Sequence, residues 1–451
     1  MPDAPGLCHP EGRDAGLPGA RRARVPGGAK ADVSRPLVLA GLWMLISALA
    51  NGADARAGTF DPTEISGRVS AQTWLYPESA VHRHQRAHAT GLALEPTAYW
   101  EDEDGRSLTL TPYFRYDAGD PEGTHADLRE AYLLVYGDIG QDQWEVRLGV
   151  DRVFWGVVEV RSLVDIVNQT DLVAHPNEKT KLGQPMLHAT WSGEWGALEF
   201  FAMTWHRERT FPGRHGRHRA GLVVEPKLTT YESSAGRWNL DLALRYSGTS
   251  GPVDVGLSVF DGTSREASLL PTRDGSEFVL APHYERIRQF GLDSQLTTGP
   301  WLLKLETIYR EGARNSRLGP NLQYEEEDYL AFIVGGEYTV YSFWGSDADL
   351  VLIAEWTRDG RGRRATNAFE NDVLLGVRLG LNDVQGTEWV VGVLVSRDYS
   401  SRVLSAEFKR RLSDRWSLRM EASAYLNVDE DDPLFEVRGD SFVRASLDYS
   451  F

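Results

Sequence analysis

The sequence predicts an all-β fold, a transmembrane antiparallel β-barrel of about 18 strands with an N-terminal signal peptide. Three observations predict it: a composition rich in Gly and aromatic residues, an alternation of apolar and polar residues, and an alternation of short turns with long loops. The 451 residues include 44 Gly, 14 Trp, 17 Tyr and 16 Phe, but only 5 Met. Because aromatic side chains favour strands, this composition argues against a helical bundle.

One apolar run stands apart near the start of the chain, at residues 37–50. Basic residues precede it and small residues follow it, with candidate cleavage sites at 48–50 and 55–57. A membrane-spanning helix needs about 20 apolar residues, so the shorter run indicates a cleaved secretory signal. We therefore expect 1–57 to be a removed signal peptide with an N-terminal extension, and 58–451 to be a single barrel.

Charge and cysteine content exclude several classes of function. The 65 acidic residues outnumber the 48 basic ones, which gives a net charge of -17 and makes nucleic acid an unfavourable partner. The one cysteine, Cys8, lies in the part expected to be removed. The mature chain then has no disulfide, thiolate metal site or cysteine nucleophile, and we expect no metal and no cofactor.

The last strand shows the alternation most clearly. Val443, Ala445, Leu447, Tyr449 and Phe451 are apolar, and the residues between them are polar. The same period of two recurs at 144–151, 238–246 and 416–424, where aromatic residues often begin or end the apolar face. Such strands are typical of a barrel with a lipid-facing surface and aromatic girdles at its rims.

A soluble β-sandwich also alternates, but the connections separate the two folds. Short turns are predicted at 102–105, 137–142, 192–196, 249–252, 298–300, 345–348, 383–386 and 413–414. Longer loops are predicted at 77–87, 117–124, 156–185, 207–236, 263–277, 312–324, 359–371 and 427–439. Short and long connections alternate as they do in bacterial outer-membrane barrels, and only 398–401 is short where a loop is expected.

The final strand also resembles the terminal recognition strand of Gram-negative outer-membrane proteins. Leu447, Tyr449 and Phe451 occupy its apolar positions, and the resemblance implies insertion by the barrel assembly machinery into the outer membrane. More broadly, residues 59–451 resemble a porin-like barrel. Residues 152–171 resemble a segment of uncharacterised proteobacterial barrels in which Trp-Gly precedes a Leu-Val-Asp-x-x-Asn run.

The polar face of the strands is expected to line the lumen, because a charge on the lipid face costs about 2–4 kcal/mol near the midplane. The predicted lumen residues are Arg147, Asp151, Asp241, Arg245, Lys304, Glu306, Arg378, Arg419, Glu421, Arg444 and Asp448. They either line a water-filled passage and screen solutes, or form ion pairs that only line the wall. Charges of the two signs nearly balance, which argues against strong ion selectivity.

The loop at 156–185 carries an apolar patch that is unfavourable in free solvent. Folding inward would bury the patch and narrow the pore. The predicted constriction residues are Glu159, Arg161, Asp165, Asn168 and Asp171. The alternative is a loop that packs over the barrel mouth or against a neighbouring subunit.

Two other loops combine His with Arg, at 82–88 and 206–219. Their irregular spacing disfavours a metal site. We expect plain solvated loops, and the alternative is contact with lipopolysaccharide phosphate or capture of an anionic solute. No catalytic motif is present, so we expect no enzyme.

The sequence thus predicts an outer-membrane channel for passive or facilitated diffusion of small hydrophilic solutes. Its expected partners are membrane lipid, lipopolysaccharide, the barrel assembly machinery and the solute; the oligomeric state is left open. The alternatives are transport of one ligand, such as an acidic polysaccharide or an apolar compound, an outer-membrane enzyme, or a structural barrel with a closed lumen.

Overall fold

The computed structural model describes residues 61–159, 161–318 and 324–451. Within them, 18 antiparallel strands form one closed sheet. The strands are β1 (Asp61–Leu75), β2 (His88–Glu101), β3 (Ser107–Asp117), β4 (His125–Ile139), β5 (Asp142–Asp151), β6 (Gln184–Gly193), β7 (Gly196–Met203), β8 (Asp241–Ser250), β9 (Val253–Thr263), β10 (Arg286–Thr298), β11 (Trp301–Glu311), β12 (Tyr329–Val340), β13 (Asp349–Asp359), β14 (Asn371–Gly380), β15 (Glu388–Ser396), β16 (Arg402–Arg411), β17 (Trp416–Leu426) and β18 (Phe442–Ser450). Each strand pairs with its neighbours in sequence, and β1 also pairs with β18. The predicted β-barrel is confirmed; the predicted signal peptide lies outside the described residues.

The two ends of the barrel differ, as the spacing of the connections predicts. Short turns join the strands at one end and the long loops lie at the other, where, of the connections that the structure describes, only that between β15 and β16, at 397–401, is short. The loop between β9 and β10 is longer than the predicted 263–277, because Ser268–Asp274 and Glu277–Tyr284 pair as a hairpin outside the barrel wall. The second hairpin strand alternates between apolar and polar residues as a wall strand does. The alternation alone therefore does not show whether this strand lies in the wall or in a loop.

The outer surface of the barrel is apolar. On β18, Val443 and Leu447 are exposed on the outside, while Arg444 and Asp448 are buried on the inner face. Aromatic residues pair on the outside near the short turns: Trp301 with Tyr338, Trp389 with Phe408 and Trp416 with Tyr449. An apolar band with an aromatic rim is the surface that contacts lipid, and the barrel is located in the outer membrane of a Gram-negative bacterium.

Among the residues that the structure describes, no α-helix has the length and apolar character needed to cross a bilayer.

The barrel closes where Phe451, after the last strand, pairs with Gly67 of β1. The N–H of Phe451 donates to the carbonyl of Gly67 and its carbonyl accepts from the N–H of Gly67, both at 3.0 Å. A Cβ at position 67 would lie 2.6 Å from the Phe451 ring, so glycine leaves room for the terminal aromatic side chain. Phe451 therefore belongs to the seam that joins β1 to β18.

Deleting Phe451 is expected to lower the yield of assembled barrel. The deletion removes both seam hydrogen bonds, each contributing about 0.5–1.5 kcal/mol, together with the terminal residue of the predicted assembly signal. Heat-modifiable migration of outer-membrane fractions measures the folded yield. Phe451→Tyr keeps the ring and the backbone and should assemble normally, and an undiminished yield from the deletion variant would contradict the prediction.

Candidate functional site: an inner loop across a charged lumen

The connection between β5 and β6, residues 152–183, enters the barrel, and we call it the inner loop. Its apolar side chains Val164 and Val167 are completely buried. They belong to a hydrophobic cluster with Phe201 of β7 and Ile308 of β11, which lie on the barrel wall. Burial of this apolar patch stabilises the loop inside the lumen.

Glu306 of β11 is buried and its carboxylate binds the inner loop. Oε1 accepts from the N–H of Val157 at 2.7 Å. Oε2 accepts from the N–H of Leu163 at 2.7 Å and from the Ser162 hydroxyl at 3.0 Å. Gly156 passes close by with a φ of 128°, and a Cβ there would lie 2.7 Å from Oε1. These donors compensate for the loss of water around a buried charge.

Glu159 connects the loop to the far wall. Its carboxylate pairs with Lys304 at 3.3 Å and with Arg378 at 3.1 Å. Both cations also pair with Glu337 of β12, and the N–H of Glu159 donates to Glu355 of β13 at 2.8 Å. Since β14, which carries Arg378, lies halfway around the 18-stranded circuit from β5, the loop crosses the lumen.

The returning half of the loop contacts a third part of the wall. Nε2 of His175 lies 2.7 Å from Oε2 of Glu421 on β17. The carbonyl of Ala174 accepts from Arg115 of β3 at 3.4 Å. The inner loop is therefore held from several sides of the barrel.

Arg161 connects the loop to itself and to another loop. Its guanidinium pairs with Glu178 of the inner loop at 3.1 Å and with Glu266 of the β9–β10 loop at 2.5 Å. The side chain of Arg161 is 18% exposed and that of Glu159 is 34% exposed. Of the predicted constriction residues, these two keep contact with solvent.

Asp165 and Asn168 hold the inner loop in its own conformation. Asp165 pairs with Lys181 at 3.0 Å. The Asn168 amide donates to the carbonyls of Asp151 and Leu182, each at 2.9 Å. Both side chains are buried, so they act as supports of the loop and do not face the lumen water.

Asp171 is also buried and lies in an ionic cluster. It pairs with Arg129 of β4 at 2.5 Å and accepts from the Thr210 hydroxyl at 2.7 Å. Nε2 of His125 lies 3.5 Å away. Burial alone raises the pKa of Asp171, but hydrogen bonding from His125 and the charge of Arg129 outweigh it and lower the pKa below the ordinary range. Asp171 remains ionised at neutral pH.

The predicted lumen residues lie on the inner face, and most form ion pairs with other wall residues or, in the case of Asp241, with Arg265 of the β9–β10 loop. The pairs are Arg147 with Glu145 (2.7 Å) and Asp151 (3.4 Å), Arg245 with Asp293 (2.7 Å), Asp241 with Arg265 (2.8 Å), Arg444 with Glu421 (2.7 Å), and Arg419 with Asp448 (2.9 Å). Glu306 differs, because its partners are backbone amides and a hydroxyl. These pairs fit the wall-lining alternative.

Some inward charges nevertheless keep substantial solvent contact. The side chains of Arg68 on β1 and Arg419 on β17 are 46% and 37% exposed. Glu407 and Lys409 of β16, opposite Glu421 and Arg419 in register, are exposed as well. They lie on one arc of the wall around the β18–β1 seam. The inner loop does not cover this arc, so its charged side chains stay in contact with solvent.

The His- and Arg-containing loop at 206–219 is more buried than a plain solvated loop. Arg217 pairs with Asp440 at 3.0 Å in the interior of the mouth. Burial lowers the pKa of His218 to about 3, and burial followed by the charge of Arg265 lowers that of His206. Within the described ranges, no three His, Cys, Asp or Glu side chains form a preformed metal site. The expectation of a solvated loop is wrong for these residues, because they pack within the mouth.

Sequence reasoning did not identify four residues of this site: Arg129, His175, Glu266 and Glu337. Arg129 lies where both strand faces are partly apolar, so alternation gave no clear register. Alternation could have placed Glu337 on the inner face of β12. His175 and Glu266 lie in loops, where no periodic pattern indicates a partner.

No family model matches the sequence, and no curated protein matches it significantly. Solved structures with a similar fold include OprB of Pseudomonas putida, with 10% identity, a TM-score of 0.45, and coverage of 86% of this chain and 94% of that chain. Wzi of Escherichia coli, a carbohydrate-binding β-barrel involved in group 1 capsule assembly, has 11% identity, a TM-score of 0.48, and coverage of 93% and 89%. A mutant of the Rh. blastica porin has 11% identity, a TM-score of 0.38, and coverage of 86% and 99%. The chain is thus similar in fold to outer-membrane barrels.

Proposed function

We propose that the protein is an outer-membrane channel for passive or facilitated diffusion of small hydrophilic solutes, and that the inner loop constricts it. The observation that supports this most is the path of the loop from β5 to Arg378 on the opposite wall. A segment fixed across the lumen narrows it, and the solvated charges around the β18–β1 seam leave a polar route beside the segment.

The constriction that we propose is formed by fewer loop residues than the sequence predicts. Glu159 and Arg161 face it, while Asp165, Asn168 and Asp171 support the loop from behind. We expect the solvated wall charges around the β18–β1 seam, Arg68, Glu407, Lys409 and Arg419, to line the remainder of the route. Charges of both signs border the passage, so small polar solutes should pass with little preference for anions or cations.

Liposome swelling and planar-bilayer recording test this function together. We expect stepwise channel openings, and swelling rates that fall as neutral sugars increase in size. Permeabilities to K⁺ and Cl⁻ should be similar. A correctly folded barrel that is silent in bilayers and impermeable in liposomes would refute the channel and favour a closed structural barrel.

A second candidate is a passage for one preferred ligand. A cavity of about 300 Å³ lies between the inner loop and the wall, bordered by Glu159, Arg161, Tyr329 and Phe369. This volume is at the lower end of the range for small-molecule sites. Saturable block of the channel current by one solute class, and not by others of equal size, would favour this candidate.

A further inference from the structure

Two buried carboxylates, each with one oxygen that lacks a hydrogen-bond partner, lie where the chain enters β14 from the long-loop end. Glu370 and Asp372 project into the barrel on the same face as Arg378. They are only 2% and 3% exposed. Oε1 of Glu370 and Oδ2 of Asp372 have no hydrogen-bond partner. A buried carboxylate oxygen without a partner is unfavourable, because it loses water and gains nothing in return.

The surroundings of this pair are acidic. Burial, followed by the negative charges of Asp432, Asp398 and Asp359, raises the pKa of Glu370 to about 7. Asp432 belongs to the loop between β17 and β18, is itself buried, and accepts from the N–H of Leu434 at 2.8 Å. Asp359 and Asp398 are themselves paired, with Arg361 at 2.7 Å and with Arg358 at 3.6 Å. Asp432 of the β17–β18 loop therefore contributes most of the negative charge near the pair.

We propose that Glu370 and Asp372 bind a hard divalent cation, such as Mg²⁺ or Ca²⁺, at the long-loop mouth of the barrel. Such ions take oxygen ligands, and Mg²⁺ in particular keeps several waters when one or two carboxylates hold it. The bound ion also attracts Asp432, and so stabilises the β17–β18 loop against β14.

Thermal unfolding of the full-length folded protein tests the site. In wild type, MgCl₂ or CaCl₂ should raise the unfolding temperature above the value in NaCl of equal ionic strength, and a chelator should reverse the shift. The double variant Glu370→Gln, Asp372→Asn should lose the shift. It should also be more stable than wild type without divalent ions, because the repulsion is gone.

A matched control is the double variant Glu430→Gln, Asp431→Asn, which removes two exposed acids of the β17–β18 loop. It should keep the wild-type shift. Terbium luminescence gives a second readout, because the Trp356 indole donates at 3.1 Å to Asn371, which lies between the two carboxylates in sequence. Terbium emission should appear in wild type and be absent in the Glu370, Asp372 variant.

Two outcomes would overturn the proposal. One is an equal divalent shift in wild type and in the Glu370, Asp372 variant, which would assign the ions to bound lipopolysaccharide. The other is stabilisation of wild type by lower pH with no effect of either divalent salt. This result would mean that protonation, and not a divalent cation, neutralises the two carboxylates.

Discussion

Glu306→Ala is expected to release the first half of the inner loop and to raise the mean single-channel current. The wild-type carboxylate accepts from Val157, Ser162 and Leu163 at 2.7–3.0 Å while completely buried. Hydrogen bonds to a charged group contribute about 1.5–3 kcal/mol each, and the donors left in the variant are partly buried. We expect loop docking to weaken by at least about 3 kcal/mol. Undocked states should appear as larger and noisier openings in planar bilayers.

Glu311→Ala provides the matched control for Glu306. Glu311 ends the same strand, its side chain is 40% exposed, and its partner Arg288 lies 3.7 Å away. An exposed ion pair contributes only about 0–1 kcal/mol, so this variant should conduct like wild type. If the Glu306 variant folds and has the wild-type current and noise, then Glu306 does not anchor the loop.

Asp171→Asn is expected to weaken the inner loop at its other support. The change leaves Arg129 buried with only Asp127, at 3.2 Å, as an ionic partner. Removing one partner of a buried ion pair typically destabilises the folded state by about 3–5 kcal/mol. Because Arg129 keeps its pair with Asp127, we expect a loss near the lower of these values. Limited proteolysis of the folded barrel measures the effect, since a loosened inner loop is cleaved faster.

The same residue predicts a pH dependence. The folded-state pKa of Asp171 is lowered, so its stabilisation is complete above the ordinary pKa of about 3.9 and is lost as the pH falls through the lowered value. Wild type should therefore keep a protease-resistant loop down to about pH 4 and lose resistance below it. Asp171→Asn should lack this component. Asp138→Asn, at the exposed end of the same strand as Arg129, is the control and should behave like wild type.

Much of the barrel could be predicted from the sequence, because alternation with a period of two reports which face each residue occupies. The residues of β18, with Val443 and Leu447 outside and Arg444 and Asp448 inside, illustrate this. The apolar residues Val164 and Val167 likewise indicated that a long loop must find an apolar surface. Alternation does not show whether a strand belongs to the barrel wall or to a loop, however. The hairpin strand Glu277–Tyr284 therefore cannot be distinguished from a wall strand by its sequence alone.

The partners within the lumen could not be predicted, because period and composition carry no information about contacts across a barrel. Alternation predicts that Glu306 lines the lumen, yet it binds backbone amides and a hydroxyl of a loop far away in sequence. His175 and Glu421 meet across an interval of 246 residues. Their position in the loop predicts that Asp165 and Asn168 lie at the constriction, but their role depends on how the loop turns back on itself.

Single-channel conductance of a variant lacking 163–170 shows whether the inner loop constricts the channel. The deletion removes the buried segment that contacts the wall, and heat-modifiable migration establishes that the barrel is folded. If the inner loop constricts the channel, the variant should show a larger unitary conductance than wild type in the same salt. An unchanged unitary conductance in the folded variant would mean that the inner loop does not constrict the channel.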